Sequence, residues 1–358
     1  MKVGEVQVFG WVSGLFGKDI GIDLGTANIV VYVKGKGVVI DEPSVIAYRK
    51  PNRRSAREII AYGSEAKTMA GKTPVGVETV RPLHSGVIAD FEMTGALIRH
   101  FLAKANNGIR PFGHPRVIVC APVEVTEVER KAFIDATLDG GAREAYVVEE
   151  PVAAAFGVDL PIDEPRGNMI LDIGGGTSEI AVLSLSGVVV SNSLRVAGDE
   201  MDNAIIGMMR QNYTLSIGSA TAEEVKNTIG SAYRLSGEKE IEVRGRNLKD
   251  GLPRAIRISS AEVREALNPV ISQIVEMVRE TMERTPPELA RDIADQGLVL
   301  SGGAALLEGL DRRLSEELNV PVLRAERPLY SVADGIGKLL EQFDSMKKIL
   351  VSAGHGVR

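Results

Sequence analysis

Ile20-Gly21-Ile22-Asp23-Leu24-Gly25-Thr26-Ala27-Asn28 stands near the start of this sequence, and Asp172-Ile173-Gly174-Gly175-Gly176-Thr177 returns to the same pattern 149 residues later. In each, a short β-rich segment ends in an aspartate and a glycine turn, and another β-rich segment follows. The first set is Asp19–Leu24, Asn28–Lys34 and Gly37–Ile40; the second is Asn168–Ile173, Ser178–Leu185 and Gly187–Leu194. Both sets read as antiparallel meanders. Their spacing is one domain length, so the duplication predicts two related α/β domains in tandem.

Such a turn has a definite chemical use. Gly25, Gly174, Gly175 and Gly176 carry no side chain, so backbone N–H groups can approach an anion closely. Thr26, Asn28 and Thr177 add hydroxyl and amide donors. An aspartate ending the first strand, Asp23 or Asp172, can hold Mg2+ through its waters where the metal bridges phosphates. Either turn alone is only a turn; two at domain spacing predict a grip on a triphosphate from both sides. Two rival cradles fail. Gly71-Lys72-Thr73 has Ala66 where a P-loop needs glycine, and Pro74 follows at once. The Gly174–Gly176 turn leads into a strand, so it is not a dinucleotide fingerprint.

Between the two turns lies Glu149-Glu150-Pro151. Proline at a first helical position places a carboxylate at a helix N-terminus, where the dipole keeps it ionised. Opposite a γ-phosphate, that carboxylate could orient an attacking water, worth about 10²–10⁴-fold in rate. A simple helix-capping acid pair is the alternative, and spacing does not choose between them.

Composition narrows the classes further. The 358 residues carry 42 basic and 48 acidic side chains, a net charge of −6, with 44% hydrophobic residues. The basic residues are scattered, and the densest group is Arg53, Arg54 and Arg57, which argues against a nucleic-acid partner. No apolar stretch reaches the roughly 18 residues of a spanning helix; Ile180–Val190 is interrupted by Ser184, Ser186 and Gly187. The single cysteine, Cys120, sits in the apolar run Val117–Cys120 and reads as inert burial in a reducing cytoplasm. His84, His100, His114 and His355 make no metal-ligand spacing.

Further helices are expected at Thr94–Ala105, Thr126–Leu138 (capped by Thr126 with Glu129 three residues on), Val152–Phe156, Met201–Tyr213, Ala222–Ile229, Ala261–Arg284 and Leu306–Glu317. Strands are expected at Arg116–Cys120, Val147–Val148 and Leu298–Leu300. Residues 1–18 place Val8, Trp11, Val12 and Leu15 at helical spacing, with Phe9 and Phe16 widening the same face. Glu5, the interrupting glycines and the lack of a small-residue cleavage site speak against a signal peptide. Two readings stay open: an apolar helix packed on its own domain, or a short helix in a membrane interface with Lys2 and Lys18 near headgroups.

Taken together, IGIDLGTAN (Ile20–Asn28), DEPSVIA (Asp41–Ala47), SGVIADFE (Ser85–Glu92), VERKAFIDA (Val128–Ala136), EEPVAAA (Glu149–Ala155), DIGGGTSEIAVLSLSG (Asp172–Gly187), AGDEMDNAI (Ala197–Ile205), TPPELARDI (Thr285–Ile293) and SGGAALLEGL (Ser301–Leu310) resemble the bacterial actins of the MreB/Mbl family. The resemblance runs over essentially the whole chain. It implies the α/β actin-like ATPase fold: two related domains, each an RNase H-like core plus a small subdomain, around a central nucleotide cleft. Domain I would be 19–156 with 325–358 returning to it, and domain II 157–324. It also implies ATP and Mg2+ as cofactors, and weak ATP hydrolysis coupled to assembly of a homopolymer of paired protofilaments. The filaments would lie on the inner face of the cytoplasmic membrane and work with cell-wall elongation and shape-determining membrane proteins to maintain rod shape.

Carried onto this chain, the resemblance makes Asp23 and Asp172 the Mg2+-organising acids. Gly25, Thr26, Ala27 and Asn28 become one phosphate loop, and Gly174, Gly175, Gly176 and Thr177 the other. Glu150 activates the hydrolytic water with help from Thr177. Glu223, Glu224, Val225 and Lys226 border the ribose and adenine, and Gly302, Gly303, Ala304, Ala305 and Leu306 close over the adenosine. Ala304 stands where the family usually has a third glycine, and its methyl could tighten that turn; Ser178 replaces a usual threonine. Ile109 and Phe112 occupy the place of an apolar membrane-binding loop, with a tucked-in Phe112 as the alternative.

Three other classes share such a fold. A heat-shock-type chaperone needs a peptide-binding β domain after the ATPase, and none is expected before Arg358. A sugar kinase needs an aspartate base and a polar substrate pocket, for which no signature stands out. A filament that positions plasmids or organelles is the nearer rival, sharing the ATP chemistry but not expected to keep the wall-associated motifs. No residue visibly excludes GTP.

Overall fold

The computed structural model describes residues 18–51, 57–106, 114–347 and 350–352. The chain divides into two units, Met1–Asp159 with Tyr330–Arg358, and Leu160–Leu329.

The first unit opens with β1 (Ile20–Leu24), β2 (Asn28–Val33) and β3 (Gly37–Pro43), an antiparallel meander with a bulge at Val31/Tyr32. A small sheet of β4 (Ile46–Arg49), β5 (Glu58–Tyr62) and β6 (Val77–Val80) follows, with α1 (Gly63–Met69) against it. A hairpin, β7 (Leu83–His84) and β8 (Val87–Ile88), leads into α2 (Phe91–Ala105). Then β9 (Arg116–Ala121), α3 (Glu127–Asp139) and β10 (Glu144–Glu149) extend the main sheet in parallel beside β1, and α4 (Glu150–Gly157) closes the run. Two parallel strands need a crossover, and α3 supplies it. Its start is fixed locally: Thr126 Oγ1 accepts from Glu129 N–H while the Glu129 carboxylate accepts from Thr126 N–H, the reciprocal cap expected from the sequence.

The second unit repeats this plan. β11 (Asn168–Ile173), β12 (Ser178–Ser184) and β13 (Gly187–Leu194) form the meander. Next come α5 (Gly198–Tyr213), β14 (Leu215–Ser216), α6 (Ser219–Ile229), and the hairpin of β15 (Glu240–Asn247) and β16 (Pro253–Ser259). After α7 (Ser260–Arg284) and α8 (Pro287–Gln296), β17 (Leu298–Ser301) and β18 (Val322–Arg324) complete the sheet in parallel, with α9 (Leu310–Leu318) between them. The main sheets read β10-β9-β1-β2-β3 and β18-β17-β11-β12-β13, one order used twice. Each buries its own apolar core, around Ile22, Val119, Phe101 and Phe133 in the first unit, and Leu171, Val182, Ile274 and Leu300 in the second. Cys120 is buried, as expected.

One expected element is overturned. Leu306–Glu317 is not a single helix: a 3-10 turn covers Gly303–Leu306, Gly309 takes φ 75°, and α9 starts only at Leu310. A left-handed residue cannot continue a right-handed helix.

The chain returns to the first unit as α10 (Ser331–Glu341), which lies across α4, and β19 (Val351–Ser352), which pairs with β10. The crossing is closer than side chains permit. A Cβ on Gly335 would fall 1.7 Å from Ala153 O, and one on Gly157 would fall 1.8 Å from Ser331 O. Lys338 Nζ donates to the carbonyls of Phe156 (2.9 Å) and Gly157 (3.0 Å) and pairs with Asp159 at 2.7 Å. A cation on the orphan carbonyls of a helix end is favoured by the dipole, so α10 both packs on α4 and caps it.

Candidate phosphate-binding turns

In the first unit, Asp23 pairs opposite Val30 next to the turn Gly25–Ala27. Ser44, fully buried, braces this turn from β3's far end: its Oγ donates to Gly25 O at 2.7 Å and its N–H to Ala27 O at 2.9 Å. Thr26 is also buried, and its Oγ1 accepts from Gly86 N–H at 3.1 Å. Asn28 Nδ2 donates to Asp41 Oδ1 at 2.9 Å, and Tyr330 donates to the other Asp41 oxygen at 3.0 Å. Ser44 and Gly86 were not singled out as site residues by sequence, although both lie in stretches that carry the family resemblance, DEPSVIA and SGVIADFE.

In the second unit, the turn Gly174–Thr177 closes on itself through Gly174 N–H to Thr177 O at 2.9 Å. Two of its carbonyls are claimed by the start of α5: Gly198 N–H donates to Gly174 O (3.2 Å) and Asp199 N–H to Gly175 O (2.7 Å). Among the described residues, the N–H groups of Gly175 and Gly176 donate to no backbone carbonyl. With its oxygens tied down and these donors unclaimed by backbone, the turn is arranged to receive an anion. Lys226, from α6, reaches the same place. Its Nζ donates to Gly198 O at 3.0 Å and pairs with the buried Asp202 at 2.9 Å. Burial raises the Asp202 pKa against the pull of Lys226.

The remaining expected residues are placed as follows. Glu150 is the first residue of α4, with Pro151 next. Beside it, Glu149 is held up in pKa by burial, against the Arg130 guanidinium 3.9 Å away. On α6, Glu223 is half-buried and Glu224 exposed, whereas Val225 points into the apolar core. Gly302 stands at φ 86°, where a Cβ would lie 2.3 Å from Ile173 O, so only glycine fits beside the end of β11. Ala304 lies in the 3-10 turn without a positive φ, so its methyl strains nothing there. Ala305 is buried and Leu306 exposed. Phe9, Trp11, Val12, Leu15, Phe16, Ile109 and Phe112 lie outside the described residues.

Asp172 is the most informative side chain. It is 5% exposed, its Oδ1 is enclosed with no hydrogen-bond partner, and burial pushes its pKa up to about 6. The Ser301 hydroxyl nearby opposes this without completing a hydrogen bond. A buried acid with an orphaned oxygen is costly in isolation and fits a hydrated cation. Among the described residues no cluster of three acidic, histidine or cysteine side chains could cage a metal alone. A cation here would need phosphate and water oxygens as well, which is how Mg2+ is usually held.

The strain has a measurable consequence. A carboxyl whose folded pKa lies about 2 units above its unfolded value costs nothing below about pH 4 and roughly 3 kcal/mol above pH 6. Without nucleotide or metal, Asp172→Asn should therefore stabilise the protein by about 2–3 kcal/mol at pH 7.5, with the gain vanishing near pH 4. Urea melts of both proteins at the two pH values check this; coincident midpoints at pH 7.5 would show that the buried charge is compensated.

Two α/β units of one sheet order, each with an aspartate and a glycine turn between its first two strands, define the actin-like class. Solved structures agree: MreB5 of Spiroplasma citri bound to AMPPNP has a TM-score of 0.86 and 37% identity, covering 93% of this chain and 98% of that one. A MamK double helical filament has a TM-score of 0.76 at 23% identity, covering 90% and 98% of the two chains, a likeness of fold. The chain belongs to the MreB/Mbl family: the model described as MreB/Mbl protein matches residues 17–348. The cell shape-determining protein MreB of Escherichia coli (strain K12) is 50% identical over 333 residues, 92% of this chain and 95% of that protein.

Proposed function

We propose that this protein is an actin-like ATPase whose filaments assemble with ATP on the cytoplasmic membrane and guide lateral cell-wall synthesis, so maintaining rod shape. The observation that carries the reading is the duplicated turn. Asp23 with Gly25–Asn28 and Asp172 with Gly174–Thr177 are equivalent places in equivalent sheets, and phosphates of ATP are the ligand such donors suit. Mg2+ fits the buried Asp172, which would hold it through waters, and bound there it would neutralise phosphate charge; Asp23 is the equivalent acid of the first unit. Glu223 and Lys226 would border the ribose, and Gly302–Leu306 the adenosine. Glu150, at the N-terminus of α4, would orient the attacking water, with Thr177 assisting.

The function is mechanical. ATP binding biases the protein towards a form with favourable subunit contacts, and hydrolysis removes the bias. Turnover then acts as a timer. Membrane attachment would come from residues 1–18 with Ile109 and Phe112, two weak apolar anchors whose effects add. Among the described residues no helix is long and apolar enough to cross a membrane, in keeping with attachment at a surface.

A pelleting assay with Mg-ATP, Mg-ADP or no nucleotide, each with and without anionic liposomes, tests the reading. Sedimentation that requires both ATP and lipid is expected. Deleting residues 2–18 should abolish most liposome binding while filaments still form in ATP. A protein that stays monomeric in every tube would overturn the cytoskeletal function, and undiminished liposome binding by the truncated chain would overturn the anchor.

A further inference from the structure

Arg130 lies in the first turns of α3, and its side chain, 14% exposed, reaches the carboxyl end of the first unit's main sheet. Its Nη2 stands 3.9 Å from Glu149 Oε1 and its Nε 3.7 Å from Glu127 Oε1. Glu149 is the last residue of β10, opposite Ala121 at the end of β9, and parallel α/β sheets place their ligands beyond such strand ends. It also directly precedes Glu150, the first residue of α4, and its side chain caps no N–H of that helix.

Neither of these contacts is a hydrogen bond, which needs about 2.7–3.2 Å. The Arg130 Nε is enclosed and has no hydrogen-bond partner among the described residues. A guanidinium carries five donors in a rigid fork, and a charge held this far from water is costly unless paired and hydrogen-bonded. Of its two carboxylate neighbours, Glu127 is 87% exposed and Glu149 27%, so Glu149 is the one that burial commits to it. The Arg130 charge opposes the rise that burial imposes on the Glu149 pKa. A movement of about 1 Å turns the pair into a charged hydrogen bond.

We propose that Arg130 is a positioning residue for ATP hydrolysis: closing on Glu149, it fixes the junction of β10 and α4 and with it the carboxylate of Glu150. The inference rests on reading Glu150 as the acid that orients the attacking water. Adjacent carboxylates repel each other. Arg130 compensates the first of them from α3, so the geometry of the junction is set by two elements instead of one.

Single-turnover hydrolysis of bound ATP, read beside ATP affinity, tests this on the full-length protein. Arg130→Gln should slow hydrolysis about tenfold or more, as misplacing a reacting group by about 1 Å does, while ATP affinity stays within about twofold. A merely structural role would lower both. Arg130→Lys, which keeps the charge and loses the fork, should recover part of the rate. Glu149→Gln should reproduce the loss, and the double variant should be no slower than the slower single one, because one pair can be broken only once. Glu149→Gln carries the test if Arg130→Gln does not fold. Unchanged hydrolysis in the variant that carries the test, ATP affinity lost in step with the rate, or losses that multiply in the double variant would overturn the proposal. Normal hydrolysis by Glu150→Ala would instead overturn the reading of Glu150 on which it rests.

Discussion

Glu150→Ala is expected to slow ATP turnover by about 10²–10⁴-fold while ATP-dependent assembly persists. Glu150 opens α4 directly after the extended residue Glu149, at the end of the helix where the dipole favours a carboxylate. A carboxylate acceptor suits holding a water for in-line attack, and little else in phosphoryl transfer demands a base. In the proposed site nucleotide binding draws on the glycine turns instead, so the variant should bind ATP normally, release phosphate very slowly and form persistent filaments. Single-turnover phosphate release, read beside sedimentation, separates these steps. Normal hydrolysis by the variant would remove Glu150 from the mechanism, and the capping-acid alternative would stand in its place.

Gly335→Ala should be the most damaging single methyl in the first unit. Its Cβ would lie 1.7 Å from Ala153 O, and Gly157, on the facing helix, already lies against Ser331 O. Backbone atoms cannot rotate away as a side-chain tip can, so α10 and α4 must separate. Separation opens the packing of α10 on β1 and draws Lys338 off the α4 carbonyls. A loss above about 4 kcal/mol is expected, in the range reserved for overpacked cores. Because α4 begins at Glu150, whatever protein folds should also hydrolyse ATP more slowly. Denaturant unfolding measures the first effect, and a midpoint close to wild type would show that the helices yield at little cost.

The candidate site was legible in the sequence to the extent that it is built from local chemistry. Asp23 and Asp172 could be read as candidates because a strand, an acid and a glycine turn leave a linear signature, repeated at domain spacing. The Thr126–Glu129 cap was found for the same reason: its partners are three residues apart. What escaped depends on distant partners. Ser44 braces Gly25 and Ala27 across a strand turn, and Gly86 reaches Thr26 from another hairpin. Arg130 reads as one charge among several on a helix until the fold brings it to Glu149 at the end of a strand. The small sheet β4-β5-β6 was missed because its strands are short and widely separated. The helix expected to begin at Leu306 failed because apolar periodicity outlasted the backbone's tolerance for Gly309 at φ 75°.

By itself the sequence determined the two meanders, their duplication and membership in the MreB/Mbl family, because strand period, turn residues and repeat spacing are written along one dimension. Tertiary structure alone decided that Asp172 is buried with an unmet oxygen, that Arg130 faces Glu149, that Val225 belongs to the core, and that Gly157 and Gly335 let α4 and α10 touch. Burial, register and close backbone approach arise between segments far apart in the chain, and no local pattern of residues encodes them.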